Sequence, residues 1–335
     1  MNWNLWRPAD SGRLTVNRKS ISMSVNLNKR TGVFTMMKTY RDILNAVQAN
    51  KRKKTISIAM ADDPSVLEAI KAIDEKGIAH AILVGDAERI KRIAREVDYQ
   101  ITDDMIVHAV DDVEIAFKAV EQVRTGKADI LMKGHISTPI LMKAVLDRET
   151  GLRKGCVLIP VAVAEIPTYP KLLVTGDGGI TIAPDLETKK SILGNMLDVC
   201  QKLKIGQPKV CALCPIEKVN PKIQETLDAA ELQKMAEAGE FGNIILEGPM
   251  AMDVALSAEA ARKKGIQSRI AGDTDVILVP NITSGNATIK ILMYLANARV
   301  GGLVMGAKVP IILLSRSDKP EEKFNSMILA ILVAD

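Results

Sequence analysis

TISIAMADDPSVLEAIKAIDEKGIAHAILV, residues 55–84, sets the architecture of the chain. Two short apolar runs, Thr55–Ala61 and Ala79–Val84, flank an amphipathic segment, Pro64–Lys76, so the order is strand, helix, strand. Asp63-Pro64 is a sound helix start, with an oxygen acceptor at the cap and a proline where no N–H is needed. The alternation continues with helix Asp86–Val97, strand Met105–Val110, helix Asp112–Thr125 and strand Ala128–Met132. Apolar strands alternating with helices predict a mostly parallel sheet covered on both faces. The rule breaks over Gly155–Ile182, where strands Val157–Ala164, Leu172–Thr175 and Ile180–Ile182 follow one another around an Asp177-Gly178-Gly179 turn. That β insertion marks a second domain. Alternation then resumes: helix Leu186–Lys204, strand Lys209–Cys214, helix Pro221–Ala238, strand Asn243–Leu246, helix Ser257–Lys264, strand Thr274–Val279 and helix Ser284–Ala298.

The 335 residues are 47% hydrophobic and only 3% aromatic, enough for two medium cores built from aliphatic side chains. The net charge of +5 is unevenly placed: residues 1–54 carry 12 basic and 2 acidic side chains, leaving 33 basic against 38 acidic in the remainder. A mildly acidic body excludes nucleic acid as a partner by its electrostatic footprint. No apolar run reaches a membrane-spanning length, which excludes a membrane role and leads us to expect a cytoplasmic protein. Residues 1–36 are expected to be a disordered extension or a miscalled start, with Met36 or Met37 as the initiator and activity independent of the segment.

Four cysteines without a secretory signal point to a reducing compartment. Cys211 and Cys214, three apart on one strand, face opposite sides and read as buried free thiols. No second Cys/His pair stands at zinc spacing, and no metal is expected. A dinucleotide fingerprint, a phosphate-cradling Walker loop and a nucleophile elbow are all missing from the sequence. His80 and His108 read as structural, whereas His135 lies in a strand-end loop beside Lys133 and Gly134. Ser137 and Thr138 in that loop suit either phosphate donation or a helix cap.

Residues 281–335 carry the densest chemistry. Asn281-Ile-Thr-Ser284-Gly285-Asn286 follows a strand and opens a helix, a natural anion site with Ser284 as the expected cap. Lys290 falls on the same helix face as Asn286. The apolar strand Ile311–Leu314 runs into Ser315-Arg316, where an arginine fork suits phosphate. Asp318-Lys319-Pro320-Glu321 has capping-box spacing, which occupies Glu321 and leaves Glu322 free. Glu247–Met250 and Asp253 form a further strand-end loop without a defined role.

The Asn281–Asn286 loop, the glycine-rich Gly301–Pro310 segment and Ser315-Arg316 together resemble the phosphate acetyl/butyryltransferase family. Met132-Lys133-Gly134-His135-Ile136-Ser137-Thr138 and Leu314-Ser315-Arg316-Ser317-Asp318 place the chain nearer its butyryl branch, and the resemblance spans residues 37–335. It implies an isocitrate/isopropylmalate dehydrogenase-like α/β fold of two domains, 37–150 plus 304–335 and 151–303, with the active cleft between them. The implied reaction is acyl-CoA + phosphate ⇌ acyl phosphate + CoA, without metal or acyl-enzyme, on four-carbon or branched acyl groups. Coenzyme A is then a substrate, an acyl (butyrate) kinase a functional partner, and the assembly a homodimer or higher homo-oligomer.

Ser315, Arg316 and Glu322 are the implied catalytic residues, Glu322 by its register with the base of the acetyl branch. Substrate is expected on Lys133, Gly134, His135, Ser137, Thr138, Lys143, Asn281, Ser284, Gly285, Asn286 and Lys308. A free carboxylate and a thiol differ by about 4–5 pKa units, roughly 6 kcal/mol, so proton transfer must accompany attack or the base must be desolvated. Competing expectations are a phosphate acetyltransferase, an oxidoreductase of the dehydrogenase type, and a non-catalytic CoA-binding protein.

Overall fold

Apolar strands and the helices that cover them assemble in chain order, and the computed structural model describes residues 36–313 and 318–334. The first set is α1 (Tyr40–Ala49), β1 (Lys54–Ala59), α2 (Pro64–Asp74), β2 (Ala79–Gly85), α3 (Ala87–Glu96), β3 (Ile106–His108), α4 (Asp112–Arg124), β4 (Ile130–Lys133) and α5 (Thr138–Val145). Asp63 caps α2 by accepting the Val66 N–H, with Pro64 in the first turn, as the sequence predicts. Ile56, Ile58 and Leu83 are enclosed on one face and Ala59, Val84 and Leu131 on the other, which explains why these strands are apolar on both faces.

The second set opens with β5 (Ile159–Glu165) and β6 (Leu173–Gly176), an antiparallel pair. It continues through α6 (Leu186–Lys202), β7 (Lys209–Leu213), α7 (Gln224–Glu237), β8 (Ile245–Met250), the short α8 (Met252–Leu256) and α9 (Ala258–Lys263), β9 (Val276–Leu278) and α10 (Ile282–Tyr294). The expected strand at Ile180–Ile182 is not formed. That segment instead wraps the Asp177 carboxylate, which accepts backbone N–H groups from Gly179, Ile180 and Thr181 at 2.7, 3.0 and 2.8 Å. Those N–H groups are therefore unavailable to a strand ladder.

The chain then crosses back through β10 (Arg299–Met305), β11 (Ile311–Ile312) and α11 (Pro320–Val333). The eleven strands of the described residues share one sheet, in the order β3-β2-β1-β4-β11-β10-β5-β6-β9-β7-β8. β11 lies parallel to β4, while β10 is antiparallel to both β11 and β5. On either side of this reversal the strands run in opposite senses: β1–β4 and β11 one way, β6 to β9 the other. α11 lies against β10, α1 and α2 and is buried from Asn325 to Val333. Among the described residues no helix is long and apolar enough to cross a membrane. The expectations for residues 1–35, and for Ser315 and Arg316, lie outside the described residues.

Candidate active site

The loop after β4 is held by backbone geometry. Gly134 N–H donates to Ala59 O at 2.8 Å and His135 N–H to Met60 O at 2.9 Å, drawing the loop across the end of β1. A Cβ on Gly134 would lie 2.1 Å from Met60 O, so only glycine passes here. Lys133 is buried, its ammonium 3.3 Å from Gly134 O. His135 Nδ1 lies 3.4 Å from the Asp63 carboxylate. Asp63 also accepts from the Ser65 hydroxyl at 2.7 Å, and that hydroxyl accepts from Lys323 Nζ of α11 at 2.9 Å. Burial disfavours the Asp63 charge, but the Ser65 and Val66 hydrogen bonds and the His135 imidazole outweigh it and hold its pKa below the ordinary carboxylate value. Ser137 precedes α5, but its hydroxyl makes no capping bond, and Ser137, Thr138 and Lys143 are exposed.

The start of α10 differs from expectation in one respect. Asn281 is the cap, its side-chain oxygen accepting from both the N–H and the hydroxyl of Ser284 at 3.0 Å. The longer Asn side chain reaches the third residue on, and this leaves Ser284 as a donor inside the first turn. Gly285 is buried because α10 packs backbone-to-backbone on the Asp177–Gly178 loop. A Cβ at Gly285 would meet Asp177 O at 2.6 Å, and one at Gly178 would meet the Gly285 carbonyl carbon at 2.8 Å. Asn286 Nδ2 donates to Gly178 O at 3.3 Å.

This contact closes one side of a cavity of about 300 Å³ on the face of the sheet. Asn286 and Lys290 line it together, as their helical spacing predicts, facing Pro160, Ala162, Thr175, Ile180, Ile289, Gly302, Val304 and Leu313. Leu313, in the cavity wall, is the last described residue before 314–317. Lys308 does not line this cavity; it is exposed in the turn between β10 and β11, with its N–H on Leu152 O. Lys133, His135, Ser137 and Thr138 lie instead at the end of β4 and the start of α5, and Lys143 is exposed in the last turn of α5.

The capping role falls on the other of the two C-terminal glutamates from the one that the sequence suggests. α11 begins at Pro320 with Lys319 as its cap residue, so Glu322 and not Glu321 occupies the third position. Glu322 accepts the Lys319 N–H at 2.7 Å, whereas Glu321 pairs with Arg299 Nε at 3.0 Å. Proline favours the first helical position, and placing it there moves the box by one residue. Sequence reasoning also misses Asp63, Ser65 and Lys323 as partners around His135, and Asp177 as the anchor of the cavity loop. Only Asp177 left a visible signal, in its Asp-Gly-Gly context.

A larger groove, about 1010 Å³, lies at the far edge of the sheet near Glu247, Gly248 and Met250. Most of its charges satisfy one another: Lys264 Nζ meets Glu217 at 2.7 Å and Asp253 at 2.9 Å, while Glu247 accepts from Ser268 and Arg269. With its charges so paired, it is a weaker chemical candidate than the smaller cavity. Cys211 and Cys214 are free, buried on opposite faces, and their thiol pKa values are raised by burial, that of Cys214 to about 12. They are inert packing groups.

The family model described as phosphate acetyl/butaryl transferase matches residues 39–114 and 105–331. A phosphate butyryltransferase of Clostridium acetobutylicum is 41% identical over 299 residues, covering 89% of this chain and 99% of the relative. A phosphate acetyltransferase of Thermotoga maritima is 38% identical, covering 85% and 97%. Among solved structures, a branched-chain phosphotransacylase from Enterococcus faecalis V583 superposes with a TM-score of 0.74 at 33% identity, covering 84% of this chain and 99% of that one.

Proposed function

The chain belongs to the phosphate acetyl/butyryl transferase family, and we propose that it moves a four-carbon or branched acyl group reversibly between coenzyme A and inorganic phosphate. It is an acyltransferase in this reading, and the carrying observation is the aliphatic cavity bounded by Asn286, Lys290 and Leu313. The apolar walls suit a short acyl chain, while the amide and ammonium at its side suit an anionic neighbour. Phosphate and thioester held together react as a ternary complex, and shared confinement supplies much of the rate.

Arg316 is the proposed grip on the phosphoryl group, with Ser315 donating to the reacting thiol or carbonyl. Glu322 is the proposed base toward the CoA thiol. Its second carboxylate oxygen serves while the first is fixed by the Lys319 N–H. Lys133, His135, Ser137, Thr138 and Lys143 form a polar lip between domains 37–150 plus 304–335 and 151–303, where the CoA phosphates are held. Lys308 falls outside this arrangement. The acyl phosphate product is chemically suited to an acyl kinase. Phosphate acetyltransferase is the second reading, favoured by the Thermotoga maritima relative.

Incubating the protein with butyryl-CoA and phosphate and following free thiol tests the reading. Phosphate-dependent thiol release is expected; none with butyryl-CoA or acetyl-CoA removes both readings.

A further inference from the structure

The floor of the cavity is a row across three strands. β5 pairs Ala162 with Thr175 on β6, and the same Ala162 pairs with Gly302 on β10, so the three residues stand side by side. Thr175 and Gly302 both line the cavity, on the face opposite Val174 and Gly301, which pack against the helix side. A Cβ on Gly302 would meet nothing closer than Val161 O at 3.8 Å, so open space lies above it. Glycine and alanine give the floor its depth, and Thr175 is the one polar side chain in the row.

That atom is anomalous. Thr175 is 2% exposed, and its Oγ has no hydrogen-bond partner. A buried hydroxyl without a partner is unfavourable, and valine has the same shape without that cost. A hydroxyl retained there is matched by something that enters the cavity. The surrounding groups narrow what it is. Pro160, Ile180, Ile289, Val304 and Leu313 offer no charge compensation, so phosphate is excluded from the floor and belongs near Asn286 and Lys290. A short acyl group is neutral and carries one strong acceptor, its carbonyl oxygen.

We propose that Thr175 is a catalytic residue whose hydroxyl donates to the carbonyl oxygen of the acyl group, an inference that rests on the acyl-transfer reading of the same cavity. A phosphate oxygen bonds to the thioester carbon, and the C=O π pair moves onto the oxygen facing Thr175. Return of that pair re-forms C=O and expels the CoA sulfur as thiolate; the attacking phosphate oxygen gives up its proton, which Glu322 accepts and passes to the thiolate. The Thr175 donor faces the charge that grows in this step and is buried away from water.

Thr175→Val removes the hydroxyl and keeps the shape; Thr175→Ser keeps the hydroxyl. With butyryl-CoA and phosphate, kcat/KM of the Val variant is expected to fall at least tenfold with a melting temperature equal to or above wild type, while the Ser variant stays within about threefold. A Val variant within twofold of wild type overturns the assignment, as does a Ser variant as impaired as Val. If the Val variant does not fold, Thr175→Ala is read in its place by the same limits. Should wild type show no turnover at all, the functional reading fails separately. Calorimetric titration with butyryl-CoA then decides this one: weaker binding by the Val variant supports the contact, and equal binding or none by either protein overturns it.

Discussion

Single side chains divide into those that shape the site and those proposed to react in it. Arg316→Ala is expected to lower turnover 10²–10³-fold at unchanged melting temperature, the usual loss for one electrostatic donor; a near-normal rate in the thiol assay removes Arg316 from the reaction. The two glutamates of α11 test a role that local sequence rules misplaced by one position. Glu322→Gln keeps an oxygen for the Lys319 N–H, so its fold should hold while its rate falls. Glu321→Gln weakens only an exposed pair with Arg299, worth about 0–1 kcal/mol, and should leave the rate intact. Full activity in Glu322→Gln would sink the base. Asp63 was legible as a cap because capping is a rule of adjacent residues. Its meeting with His135 and, through Ser65, with Lys323 joins three distant segments, and no spacing announces it. Asp63→Ala should cost about 0.5–2 kcal/mol at neutral pH. The folded-state pKa of Asp63 lies below its unfolded value, so the ionised form adds stability above about pH 4 that is lost as pH falls through the folded pKa. The wild-type advantage in melting temperature should therefore shrink on acidification, and a gap constant down to pH 2 would contradict this.

Among the elements, the strand–helix alternation was readable because each strand is buried on both faces and each helix carries an apolar stripe. What it could not reveal is how α10 meets the loop after β6. Gly178 and Gly285 are far apart in sequence, and each is glycine because the other backbone occupies the space of its Cβ. Gly285→Ala should thus destabilise by about 1–3 kcal/mol through overpacking and displace the cavity wall. Gly194, in the middle of α6 with nothing within 4 Å of its virtual Cβ, is the contrast. Gly194→Ala should stabilise by about 0.5–1 kcal/mol. Stabilisation by Gly285→Ala in chemical denaturation, or equal destabilisation by both variants, would show that the close approach is not what fixes these glycines. The false strand at Ile180–Ile182 has the same origin: its apolar alternation is real, but the Asp177 carboxylate captures the amides a neighbouring strand would need.

For the whole molecule, the proposed acyl preference rests on a cavity whose floor is small and whose walls are aliphatic. Butyryl-CoA should exceed acetyl-CoA in kcat/KM, with each methylene contributing about 1–3 kcal/mol, so acetyl-CoA remains a poor substrate and not an inert one. The reverse order of kcat/KM would favour the acetyltransferase reading. The reversal of strand direction at β10 was not legible, since periodicity reports burial and carries no sense of direction. It also has a consequence for how the chain comes into being. The partner that completes the first set of strands beside β4 is β11, some 180 residues downstream. A ribosome emitting about 5–20 residues per second leaves the flank of β4 uncovered for roughly ten seconds or more. An unpaired strand edge is a template for any other extended chain. The nascent polypeptide therefore passes through a window of self-association that the finished molecule does not show, and its yield should depend on temperature and chaperone supply during synthesis more than on the stability of the final fold.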